Sequence, residues 1–244
     1  MFTYFVSGGS GMNVLCIPLI DIAGKLPMRD VIHRRVRRAL IVGSIQPGQS
    51  VTISALSQAM NSSPTPVREA LRCLTSEGAL TVLHNRRLVV PPMTPERFNE
   101  LLSVRLALEQ YAAREAVYHI TENQVERLDA LNNEKNCAVR HQCTATALLK
   151  SYEFRLALYG MTSNASTFAM LTRIWLQLGP FVALLTKHFP KNLLVDRQVE
   201  IVQALRKRDG DAVSRELADE LNQGIGKLEK SVIRELSLCN SSSR

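Results

Sequence analysis

Residues 61–72 read Asn-Ser-Ser-Pro-Thr-Pro-Val-Arg-Glu-Ala-Leu-Arg, and few conformations suit that order. Ser63 stands where an N-cap belongs and Pro64 where a helix starts, since a first-turn residue has no use for its N–H. Val67, Ala70, Leu71 and Leu74 recur at helical spacing and supply one apolar stripe. Arg68 and Arg72, four apart, share a different face. Such a helix aims unpaired N–H groups and the positive end of its dipole at whatever lies ahead, which suits a phosphate. Taken alone, the same residues also describe an ordinary capped amphipathic helix with two solvated arginines.

The flanking sequence favours the first reading. Residues 53–60 predict a short helix with Leu56, Ala59 and Met60 inward, and a turn at Asn61-Ser62 makes a helix-turn-helix. Glu77-Gly78 ends the second helix. Two β-prone runs, 80–83 and 88–90, flank His84-Asn85-Arg86-Arg87, a hairpin wing with cations at its tip. Residues 29–97 hold ten arginines against four carboxylates, while the rest of this +8 chain is nearly balanced. A basic balance confined to a helix-plus-wing segment points to duplex DNA. A membrane-surface reading needs a long amphipathic helix bearing lysines, which this segment lacks.

The run Gly43-Ser44-Ile45-Gln46-Pro47-Gly48, then Ser63-Pro64-Thr65-Pro66-Val67-Arg68-Glu69-Ala70-Leu71, then Leu74 and Glu77-Gly78, resembles the winged helix-turn-helix of the GntR family of bacterial transcription regulators. The C-terminal part of the chain is similar to that family's FadR-type branch, with an all-helical (FCD) domain, so that the resemblance spans residues 28–238. It implies DNA contacts from Ser63, Thr65, Arg68 and Arg86, to which the face shared with Arg68 adds Arg72 and the cationic wing tip adds Arg87. Two positions depart from the family pattern. The arginine that comes after the helix-start serine and reads guanine is Pro64 here, and the glycine after the wing arginine is Arg87.

The remaining chain is helical. Residues 1–27 read as an extension without a structural role, with a linker-like Ser7-Gly8-Gly9-Ser10-Gly11 and with Met12 or Met28 as alternative starts. The first helix spans about 29–42, and its Arg34, Arg35, Arg37 and Arg38 form either a solvated face or a phosphate-positioning one. Three prolines between Pro91 and Pro95 mark a stiff boundary between a DNA-binding domain over 28–92 and a bundle over 94–238. Helices are expected over about 96–118, 121–139 and 144–159, from 166 with a kink or break at Pro180, over 192–208 and over 211–236. The fold class is therefore mainly α: an N-terminal winged helix-turn-helix and then a C-terminal antiparallel all-helical bundle. No run of about eighteen apolar residues is present to span a bilayer. The five scattered cysteines suit a reducing cytoplasm, and Cys137, His141 and Cys143 lack a second pair at zinc spacing.

In metal-binding relatives the helical domain uses an Asp-x-x-x-His pair and two later histidines. Anchoring the alignment on Phe154, Asn164, Ile201 to Leu205 and Asp209 puts Ser151, Arg155, Gln198 and Glu220 at those four positions. No imidazole is there, and a guanidinium opposes a divalent cation, so neither metal nor cofactor is implied. Arg155 instead suits an effector carboxylate directly, or else forms a structural pair with Glu220. Arg105 is a second cation or pairs with Glu109, one turn on. Asn164 and Gln198 are candidate pocket wall or simply capping or surface groups.

No nucleophile–base pair or phosphate-cradling glycine loop points to an enzyme. The expected protein is a cytoplasmic homodimeric regulator, a repressor. It binds a palindromic operator and answers to a small acidic metabolite held by Arg105, Arg155, Asn164, Gln198 and Glu220. The alternative is a ligand-independent DNA-binding protein whose bundle only dimerises.

Overall fold

The computed structural model describes residues 26–188, 196–227 and 233. The expected N-terminal extension, apart from residues 26 and 27, lies outside that set, as does the end of the helix expected over 211–236, apart from residue 233. So does the start of the helix expected from 192.

The first domain opens with α1 (Met28–Ile41), whose Ile32, Val36, Ala39, Leu40 and Ile41 are buried. Gly43 ends it at φ 73°, a left-handed turn that glycine adopts without penalty. Then come β1 (Ser50–Val51), α2 (Ile53–Ala59), α3 (Pro64–Ser76), β2 (Thr81–Val82) and β3 (Leu88–Val89). The Thr52 hydroxyl caps α2 by accepting the Ala55 N–H at 3.2 Å. Asn61, at φ 46°, makes the tight turn into α3, which buries Val67, Ala70, Leu71 and Leu74 as its stripe predicts. The wing has one strand more than the expected hairpin. Central β3 pairs antiparallel with β2 and also with β1, with Val89 opposite both Thr81 and Ser50. A two-residue strand carries no periodicity of its own, so only its distant partner defines it.

The second domain is a bundle of α4 (Pro95–His119), α5 (Glu122–Arg140), α6 (Thr144–Tyr159), α7 (Ala165–His188), α8 (Gln198–Arg206) and α9 (Gly210–Gln223). Thr94 caps α4 through the Arg97 N–H at 3.2 Å, and Asp209 caps α9 through the Ala212 N–H at 2.8 Å. The Gln124 carboxamide reaches back to the Thr121 N–H at 2.8 Å, as a capping box requires. α5 packs along α6, α4 along α9, and α7 crosses both α4 and α6. By length and composition α7 could cross a membrane, but 61% of its most apolar window is buried inside the protein. Pro180 does not break α7, which continues to His188. One missing hydrogen bond, to the Leu176 carbonyl, is outweighed by a turn whose Leu178, Gly179, Pro180 and Phe181 are all buried.

The two domains share side chains across their joint. Ile41, at the end of α1, packs into the core of the bundle. Leu176 of α7, fully buried, packs into the core of the winged domain with Leu40, Leu71 and Leu74. Leu176→Ala is expected to cost about 2–5 kcal/mol, the usual range for a buried leucine truncated in place. Its contacts lie on the winged side, so amide exchange should accelerate in α1 and α3 more than in α5. Denaturant titration and hydrogen exchange of the full chain check the two parts.

Candidate DNA interface and ligand cavity

Ser63 occupies the N-cap of α3, yet its side chain makes no cap hydrogen bond. The residue three positions on is Pro66, which has no N–H to donate. Pro64 lacks one too, so of the first three helical residues only Thr65 offers an N–H. The expectation of a donor-rich helix end is thereby reduced, and contact with phosphate falls more heavily on side chains. Ser63, Thr65, Arg68 and Arg72 are exposed along one end and side of α3. The structure places Arg86 at the wing tip, exposed and at φ 61°. Arg87 is exposed beside it, but its guanidinium donates to the Ser50 hydroxyl at 3.1 Å and is held against β1. Among the described residues Arg68, Arg72 and Arg86 make no ion pair, which leaves three cations uncommitted. Arg37 is different from the outer-face group expected on α1. It donates to Glu77 at 3.4 Å and to the Tyr152 hydroxyl of α6 at 3.2 Å, and so belongs to the domain joint.

A cavity of about 340 Å³ lies between α4, α5, α6, α7 and α9, with Ile41 of α1 also in its wall. Arg105, Lys135, Ser151, Asp196 and Glu220 contribute polar groups to its wall, and Trp175, Leu148 and Val182 apolar ones. Of the five expected effector residues, the structure brings Arg105 and Glu220 to this wall. Arg155 and Gln198 are 1% exposed and stand behind it. Asn164 is elsewhere: it is exposed and its side chain accepts the Thr167 N–H at 3.0 Å, capping α7. Its polarity therefore serves the helix end and not the cavity.

The charges are matched in pairs. The Arg155 guanidinium donates to Glu220, whose other oxygen accepts the Arg197 backbone N–H at 3.2 Å. Burial opposes the Arg155 charge, but the facing Glu220 carboxylate overcomes that and holds its pKa above the ordinary value. Arg105 donates to fully buried Glu109 at 2.8 Å and lies over the Trp175 ring at 3.9 Å. The Trp175 N–H donates to the same carboxylate at 2.8 Å. Burial pushes the Glu109 pKa up, yet Arg105 and Arg155 together bring it below the ordinary carboxylate value.

Lys135 is the functional candidate that sequence reasoning missed. Its ammonium contacts Asp196 and donates to Gln198 at 3.0 Å, and Gln198 in turn donates to Ser151 at 3.2 Å. Burial lowers the Lys135 pKa and Asp196 offsets this only in part. Its signal was a lysine falling on the inward stripe of α5, at helical spacing from Leu128 and Leu131, where a cation needs a partner. The aligned positions Ser151, Arg155, Gln198 and Glu220 do converge in space, around this lysine.

Residues 28–90 match the family described as bacterial regulatory proteins, gntR family, and residues 100–223 match the FCD domain. The HTH-type transcriptional regulator McbR of Escherichia coli (strain K12) is 26% identical over 197 residues, which is 80% of this chain and 89% of that one. The HTH-type transcriptional repressor RspR of the same strain is 25% identical over 198 residues, 81% of this chain and 87% of its own. The solved structure of E. coli McbR/YncC superposes with a TM-score of 0.77 at 23% identity, covering 86% of this chain and 98% of that one, so the two share a fold.

The Arg155–Glu220 pair generates a stability test. Arg155→Met leaves the largely buried Glu220 carboxylate without its guanidinium partner and is expected to cost about 3–5 kcal/mol. Adding Glu220→Leu removes that unpaired charge and should recover most of the loss. Urea midpoints of the two variants at neutral pH measure the difference.

Proposed function

Because this chain belongs to the GntR family of bacterial regulatory proteins and carries its FCD domain, we infer that it is a cytoplasmic, homodimeric repressor released from a palindromic operator by a small acidic metabolite. The observation that carries the DNA part is the placement of Arg68 and Arg72 on the open face of α3 and of Arg86 on the wing, exposed and uncommitted to any carboxylate among the described residues. Domain bounds of 28–92 and 94–238 suit this reading, with the prolines at 91, 92 and 95 at their junction.

Dimerisation is needed because one helix and wing read too few base pairs for genomic specificity. α4 offers the surface. Val104, Tyr111 and Tyr118 recur every seven residues and are 51%, 43% and 77% exposed, an apolar line on a helix whose other side is core.

The effector reading rests on the cavity wall. Lys135 there is paired with Asp196, whose side chain is 45% exposed. An incoming carboxylate can replace Asp196 at the ammonium without uncovering a buried charge. Arg155, already held by Glu220 behind the wall, is better read as support for that site than as its anchor. The complete pairing of Arg105, Arg155 and Lys135 with carboxylates also favours a second reading, in which the cavity takes no acid and the bundle only dimerises.

Arg68→Ala and Arg86→Ala should each weaken binding to an operator selected in vitro by about 1–3 kcal/mol if they touch bases, or flatten the salt dependence if they touch phosphate. Titrations at two salt concentrations measure this, and unchanged affinity in both variants removes the helix-plus-wing interface. A thermal-shift screen of small organic acids separates the two effector readings, since a ligand at a hundred times its dissociation constant adds about 2.7 kcal/mol.

The double variant Tyr111→Glu, Tyr118→Glu should sediment as a monomer, whereas the wild type should sediment at about twice its 27.2 kDa chain mass. A variant that stays dimeric places the subunit interface elsewhere.

A further inference from the structure

A carboxylate stands on the open face of the proposed recognition helix. Val67, Ala70, Leu71 and Leu74 make the buried side of α3. Thr65, Glu69, Arg72 and Ser76 follow one another at steps of four, three and four residues, so they line up on the side opposite that stripe, and all four are exposed. Arg68 is exposed next to them. Glu69 therefore shares its face with two cations.

Neither cation holds it. Arg72 is one turn on and Arg68 is adjacent, yet among the described residues no ion pair joins either to Glu69. Arg29, at the start of α1, is near enough for its charge to feel that of Glu69. Its guanidinium is bonded instead to the Asp30 carboxylate at 2.9 Å. In the free protein water satisfies the Glu69 carboxylate. Against duplex DNA the same group loses that water beside a row of phosphates, and a charge desolvated without a donor is costly. Arg68 and Arg72 draw this face toward the groove all the same. The compensating donor has to come from the DNA, and the groove floor offers donors only on base edges.

The major-groove inventory narrows the choice. Guanine presents N7 and O6 and thymine presents O4, all acceptors that repel a carboxylate. Adenine presents its N6 amino group with the N7 acceptor beside it. Cytosine presents its N4 amino group with no acceptor of its own alongside. An ionised carboxylate only accepts, so cytosine is its match. We propose that Glu69 is a specificity-determining residue that accepts the N4 amino hydrogen of one cytosine in each half-site of the operator. Arg68 and Arg72 carry it into the groove. This rests on the regulator reading and deepens it by naming the base that this position of α3 selects. Phosphate contacts hold any duplex, whereas the carboxylate rejects those that place another base at that position.

The experiment selects binding sites from one randomised duplex library with the full chain as wild type, Glu69→Gln and Glu69→Ala. Each protein is then titrated against its own sites, the wild-type sites and an unrelated duplex. Wild-type sites should share a cytosine in both half-sites, and its replacement should weaken binding by about 5–150-fold, the range of one good base contact. A carboxamide has both donor and acceptor, which match N7 and N6 of adenine. Glu69→Gln should therefore turn that cytosine into adenine and leave the other positions unchanged, a gain that no folding defect produces. Glu69→Ala should accept any base there and bind the unrelated duplex at least as tightly as wild type, because one negative charge is gone. Glu69→Gln sites identical to those of wild type overturn the proposal. So do wild-type sites without a shared cytosine, or a Glu69→Ala chain that loses preference at every position at once. Those three outcomes leave the regulator reading in place. A wild-type chain that selects no sequence refutes that reading and takes this proposal with it.

Discussion

Complete burial of the Glu109 carboxylate is the constraint around which the bundle is arranged. An isolated charge at that depth is untenable, so the interior must supply cations and donors in fixed positions. Arg105 comes from the next turn of the same helix, and Trp175 from α7. Arg105 is sandwiched between that carboxylate and the Trp175 ring, an arrangement that desolvation strengthens. Once Trp175 is fixed, so is the ring of Tyr152 beside it, and with it the hydroxyl that Arg37 reaches from the other domain. A charge buried in the bundle thus helps set where the winged domain docks.

The same logic accounts for the cavity. Three cations in or behind its wall are matched by three carboxylates, and Gln198 and Ser151 extend the set by hydrogen bonds. The pairs differ in how firmly they are closed. Glu109 and Arg155 are almost wholly excluded from water, whereas Asp196 is nearly half exposed. Only the Lys135–Asp196 pair can exchange a partner without stranding a buried charge. Ser151, Arg155, Gln198 and Glu220 thus take part in one network with Lys135 and Asp196. Such a network meets an anion through charge and directed N–H donors.

On the DNA side, the two prolines at the start of α3 trade donors for rigidity. They fix the first turn and remove N–H groups that other helix ends offer to phosphate. In the proposed interface recognition then falls to Arg68, Arg72 and the wing. There Arg86 takes the left-handed conformation at the tip, a position that glycine would adopt more cheaply.

Periodicity and capping are local, and both are legible in the order of residues. The apolar stripe of Val67, Ala70, Leu71 and Leu74, the Thr121–Gln124 box and the proline boundary each encode an element within a few residues, and the family motif joins them into two domains. The Arg105–Glu109 pair is legible as one of two readings, because residues four apart on a helix share a face. Choices between remote residues belong to the packed fold. That Arg155 is committed to Glu220, 65 positions away, and that Lys135 completes the cavity wall depend on how α5, α6, α8 and α9 approach one another. Arg37 shows the limit most plainly. In sequence it is one of four similar arginines on α1; in the structure it alone of the four donates to Tyr152, because the docking of α1 on the bundle turns it inward. A side chain's charge is written in the sequence, but its partner is set by packing between elements that local patterns do not relate.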